Sequence, residues 1–78
     1  MQTAPRNPNV APSLDAAYPQ ISQWVTCWGW VEIGQDDYRR SMVRALDAGG
    51  MVWEGKRHYA SLDALFRDLE RGVAKRMR

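Results

Sequence analysis

A chain of 78 residues has room for one domain with a thin core, and 45% hydrophobic with 26% charged residues is a globular balance, not a disordered one. So short a chain argues against a deep catalytic cleft. The formal net charge of +2 is unevenly spread. Residues 1–37 carry Arg6 against Asp15, Glu32, Asp36 and Asp37, a net of −3, and residues 38–78 carry ten Lys/Arg against five acids, a net of +5. That second half can favour an anionic partner but falls short of a strongly basic nucleic-acid-binding domain.

In chain order, residues 1–17 read as a disordered tail: Pro5, Pro8 and Pro12 sit among small polar residues with little apolar content to offset ordering entropy. The PxxP spacing at Pro5 and Pro8 is a weak recognition signal. The remaining residues, 18–78, read as a single small α+β domain. Residues 19–28 read as a helix, with Pro19 at its first position and Ile21, Trp24, Val25 and Trp28 on one stripe. Tyr18 is a poor cap for its start. Gly29 is suited to a left-handed end. Trp30 to Ile33 alternates and reads as a strand, and Gly34 to Asp37 as a turn.

Residues 38–48 admit two readings. Tyr38, Met42, Ala45 and Leu46 can form a helical stripe, but the run from Ser41 to Leu46, the Gly49-Gly50 pair and the run Met51 to Glu54 favour a β-hairpin. A three-residue loop at Ala48, Gly49 and Gly50 sets Asp47 opposite Met51, Leu46 opposite Val52 and Arg44 opposite Glu54. Val31, Ile33, Val43, Ala45, Met51 and Trp53 then share an apolar inner face, while Glu32, Arg44 and Glu54 share the outer one. A short connection, with a trace of strand near His58 and Tyr59, leads to Ser61. That residue caps a closing helix whose core stripe is Leu62, Leu65, Phe66, Leu69 and Val73. Gly72 predicts fraying beyond it. The expected architecture is α-β-β-β-α, a three-stranded antiparallel sheet with two helices packed on one face.

Catalytic sets are sparse. Cys27 is the only cysteine and His58 the only histidine, so there is no internal disulfide and no paired Cys/His zinc site. Cys27 reads as a small buried hydrophobe and His58 as a polar residue at a strand edge. Asp36 and Asp37 read as turn formers in preference to a metal site. Neither GxxxxGK[ST] nor GxGxxG occurs. No cofactor or metal is expected, and no enzyme. The opening residues lack the apolar stretch of a secretory signal, and no run approaches ~20 apolar residues, so the expected setting is cytoplasmic with no membrane partner.

Two surfaces remain. On the outer sheet face, Trp30, Met42, Arg44 and Val52 form a candidate protein-binding patch, for an unidentified partner or a second copy of the chain. The alternative is weak nucleic-acid binding through Arg39, Arg40, Arg67, Arg71 and Lys75, with Arg44 and Arg78 adjoining; Arg67, Arg71, Lys75 and Arg78 share one helix face, with Asp63, Asp68 and Glu70 interleaved.

The stretch from Trp28 to Tyr38, with Trp30-Val-Glu-Ile-Gly at its centre, then Val43-Arg-Ala-Leu-Asp-Ala-Gly-Gly-Met-Val-Trp-Glu-Gly, then Tyr59 to Leu65, resembles a group of small uncharacterised bacterial proteins. The resemblance covers about residues 18–75. It implies a bacterial, cytoplasmic stand-alone domain and carries no activity or site residue with it.

Overall fold

The structure, a computed structural model, describes residues 13–78. The element order is α1 (Leu14–Ala17), α2 (Pro19–Gln23), a π-helical segment (Trp24–Trp28), β1 (Trp30–Ile33), β2 (Val43–Asp47), β3 (Gly50–Glu54) and α3 (Leu62–Met77). The strands form one antiparallel sheet in the order β1-β2-β3. Apart from the added turn α1, this is the expected α-β-β-β-α arrangement.

The amino-terminal part differs from its sequence reading. Residues 13–17, read as tail, contain the single turn α1, started by Ser13, whose Oγ accepts from Ala16 N at 3.2 Å. Residues 1–12, with the PxxP spacing, lie outside the described residues. The weak cap at Tyr18 is remedied from elsewhere in the chain: Glu70 of α3 accepts from Gln20 N at 2.8 Å and Ile21 N at 2.9 Å. A carboxylate across the first turn of α2 satisfies its orphan donors and complements its dipole. Tyr18 stacks on Phe66 with centroids 5.4 Å apart and closes the same seam.

The expected helix over 19–28 does not stay α-helical to its end. From Trp24 it widens to a π turn, closed by Gly29 N donating to Trp24 O at 2.9 Å. The extra residue per turn breaks the 3.6-residue stripe. Trp24 is fully buried and donates its indole N–H to Trp30 O at 3.1 Å, whereas Val25 and Trp28 stay about half exposed. Gly29 ends the segment in extended backbone, not in the left-handed region. Its lack of a side chain serves a close approach, because a Cβ there would collide with the Leu46 carbonyl.

The hairpin forms, with a different turn. Arg44 pairs with Glu54 and Ala45 with Trp53 as expected, but Leu46 pairs with Met51 and Asp47 with Gly50. The loop is thus two residues, Ala48 and Gly49, with Gly50 at φ +120° and Asp47 Oδ1 accepting from Gly49 N at 2.8 Å. Glycine takes that backbone without the steric cost a Cβ imposes. Val52 becomes the extra residue of a β-bulge, and the bulge exchanges the faces of Val52 and Met51 relative to the simple register. No strand forms near His58 and Tyr59.

The core lies between the inner sheet face and α3: Trp24, Val43, Ala45, Leu65, Leu69 and Val73 are all buried together, with Val31, Val52 and Trp53 packed around them. Ile33, expected there, is about half exposed. Ser61 Oγ caps α3 by accepting from Ala64 N at 3.1 Å. The helix runs through Gly72 to Met77. Gly72 is buried under the Trp53 indole, where a Cβ would collide with the ring. The glycine that costs helix propensity therefore makes the seat for Trp53.

Candidate functional site

The outer sheet face is built from alternate residues of the three strands. One cross-strand row is Trp30–Leu46–Met51 and the next is Glu32–Arg44–Glu54. Leu46 is only 6% exposed yet lies outside the main core cluster; Trp30 and Met51, on either side of it, are each 46% exposed. The result is a low apolar ridge one residue from a charged row.

Arg44 is the keystone of that charged row and is 4% exposed. Its Nε donates to Glu32 Oε1 at 3.2 Å, one terminal nitrogen to Ser41 O at 2.8 Å and Ser41 Oγ at 3.1 Å, and the other to Gly34 O at 2.8 Å. These bonds tie the 34–42 loop to the sheet. The planar guanidinium suits this task, since it offers several donors in fixed directions. Glu32 also receives the Trp30 indole N–H at 3.4 Å. Arg39 reaches over the same face, with Nη1 3.9 Å from Met51 Sδ. Asp36 Oδ1 accepts from Tyr38 N at 2.8 Å and Arg39 N at 2.7 Å, which holds the Asp36 carboxyl below the usual range and makes it a turn former.

Of the four residues expected on this patch, Trp30 stands exposed at its edge. Arg44 is buried and committed to internal partners. Met42 and Val52 are half-buried against the core cluster, Val52 because the bulge turns it inward. Met51 takes the place expected of Val52. The sequence signal for it was the Gly49-Gly50 pair, which admits either a two- or a three-residue loop.

The basic residues divide. Arg39 lies at the outer face and Arg40 is exposed in the same loop, whereas Arg67, Arg71 and Lys75 are exposed on α3, which packs on the inner face. The structure does not bring the two groups into one surface. Cys27 is exposed, contrary to its reading as a buried residue, and so is His58; no hydrogen bond joins them. Among the described residues, no group of three or more His, Cys, Asp or Glu side chains is placed to hold a metal ion. No helix among them is long and apolar enough to cross a membrane.

A concavity, absent from the sequence reading, arises beside α1. Leu14, Tyr18, Ile21, Val25 and Phe66 line a shallow groove of about 180 Å³ with Asp15, Ser22 and Thr26 at its rim. Ser22 Oγ donates to Asp15 Oδ1 at 2.7 Å and pins α1 beside α2. No protein-family model, curated protein or solved structure matches the chain.

Proposed function

We propose that this protein is a small non-catalytic binding module, an adaptor or inhibitor that docks a larger protein partner on its outer sheet face. The observation that carries the reading is the pair of exposed side chains, Trp30 and Met51, flanking Leu46 on a three-stranded sheet. Trp is over-represented at binding hot spots, and Met adapts its shape to a facing surface. The neighbouring row supplies Glu32 and Glu54 as the polar rim that fixes register. Arg44 acts beneath the surface, holding Glu32 and the 34–42 loop in place. In this reading the setting is a bacterial cytoplasm, in line with the sequence resemblance and a lone, unpaired cysteine.

The test is affinity purification from the native cell, comparing the unaltered chain with Trp30→Ala and Met51→Lys. Both variants are expected to keep the far-ultraviolet circular dichroism of the parent and to lose the captured partner. A folded pair of variants that retains every partner overturns the reading. Light scattering separates a second copy of the chain from a foreign partner.

A further inference from the structure

We propose a separate anion-binding surface: the outward face of α3 holds the phosphate backbone of duplex nucleic acid without reading its sequence. Arg67, Arg71, Lys75 and Arg78 are all exposed. At helical spacing they fall within an arc of about 80° and extend along about 16 Å of the axis.

The sequence interleaves acids among them, which by itself reads as a neutralised helix face. The structure removes one of those acids from that role. Glu70 is turned aside to cap α2 through Gln20 N and Ile21 N. Asp68 accepts the Tyr59 hydroxyl at 2.6 Å and the Arg71 guanidinium at 3.1 Å, so it offsets one of the four cations and leaves three. Among the described residues, Arg67, Lys75 and Arg78 make no side-chain hydrogen bond or ion pair.

The stripe favours a duplex over two other anionic partners. A membrane surface is bound by a helix that also offers an apolar face. Here Leu65, Leu69 and Val73 are buried against the sheet, and Phe66 and Met77 pack on the same core. Single strands are held by stacking on aromatic rings. The one aromatic of α3, Phe66, is engaged with Tyr18. What remains is a line of guanidinium and ammonium cations, which suits a regular array of phosphates.

The test uses the full chain and a fluorescein-labelled 20-base-pair DNA duplex, read by fluorescence anisotropy between 20 and 200 mM salt. Three unpaired cations on phosphates predict a slope of log affinity against log salt of about −2.5 to −3, so affinity falls by about one and a half orders of magnitude between 50 and 200 mM. The triple variant Arg67→Gln, Lys75→Gln, Arg78→Gln leaves the Arg71–Asp68 pair intact. Its slope is expected to fall close to zero, with an unchanged circular dichroism spectrum. A Lys75→Arg variant keeps the parent slope. The proposal is overturned by no salt-dependent duplex binding, by equal binding of the triple variant, or by binding only to vesicles containing phosphatidylserine.

Discussion

Two tryptophans on one sheet meet opposite fates. Trp53 on β3 lies on the inner face, over Gly72 of α3, and packs against the core. Trp30 on β1 lies on the outer face beside Leu46 and remains 46% exposed. Both sit in short, alternating strands, so local propensity does not separate them. The difference lies in the opposing surface: a helix with a glycine at the point of contact makes room for an indole, and the outer face has no such seat. A ring becomes core where another element leaves a gap of its shape, since protein interiors tolerate neither overlap nor void.

The largest effect follows from removing the inner ring. Trp53→Ala is expected to cost about 3 kcal/mol, because truncating a packed aromatic loses its buried area and leaves a cavity. Trp30→Ala is expected to cost about 1 kcal/mol or less, as an exposed strand residue does. Urea denaturation of both variants checks the contrast; equal losses would erase it. Next in size is Gly72→Ala. On helix propensity alone this change stabilises by about 1 kcal/mol. With the indole above it, overpacking wins and the net loss is about 2 kcal/mol. In a Trp53→Ala background the same change should revert to stabilising, a sign reversal that a double-mutant cycle reads directly.

Much of this architecture was legible in the residues. The closing helix announced itself through the Ser61 cap and the Leu65, Leu69, Val73 stripe, and the sheet through the agreement of Val31, Val43, Ala45 and Trp53 on one side. Three features were not legible, each because a distant group decides it. Gly72 reads as a weak point until Trp53 is placed on it. Glu70 and Asp68 read as surface charge until their partners, α2 and Tyr59, come within reach. Arg44 reads as a rim cation because strand parity puts it outside. The carbonyls of Gly34 and Ser41 that bury it belong to a loop whose path the sequence left open. At the candidate patch, Trp30 was legible from parity, whereas a one-residue difference in the hairpin loop exchanged Val52 for Met51.

The outer face therefore depends on a polar network where the inner one depends on fit, and its two charged partners should be unequal. Arg44→Met preserves bulk but leaves Gly34 O, Ser41 O and Glu32 Oε1 without their guanidinium donor. A loss of about 1.5 kcal/mol is expected, in the range for unpaired part-buried acceptors. Glu32→Gln removes a carboxylate whose side chain is 43% exposed. Water replaces much of the interaction, so the loss stays below about 1 kcal/mol. Urea midpoints of the two variants at low and high salt sharpen the distinction, since salt screens the ion pair both variants lose but not the bonds to the Gly34 and Ser41 carbonyls that only Arg44→Met loses.

The smallest effect, and the one most specific to the inner side, is in pH dependence. Tyr59 OH accepts from Lys56 N at 2.8 Å and donates to Asp68 Oδ2, so it joins the connection after β3 to α3. Burial pushes the Asp68 carboxyl up, but the hydrogen bonds from Tyr59 and Arg71 outweigh it and leave the group below its ordinary value. A carboxylate with a depressed folded-state pKa contributes stability that is present above about pH 4 and is lost as pH falls through the folded value. Burial, reinforced by the bond to Asp68, raises the Tyr59 phenol. Its contribution is present below about pH 10 and is lost as pH rises through the raised value. Asp68→Asn should therefore flatten the acid limb of a stability–pH curve, to which Asp36, also held below its ordinary value, still contributes. Tyr59→Phe should flatten the alkaline limb. Trp30→Ala should leave the alkaline limb as it is, because Tyr59 does not touch the outer face. A change of the alkaline limb in Trp30→Ala would mean that the two faces are coupled through the sheet, and the outer face and the core could no longer be treated as separate devices.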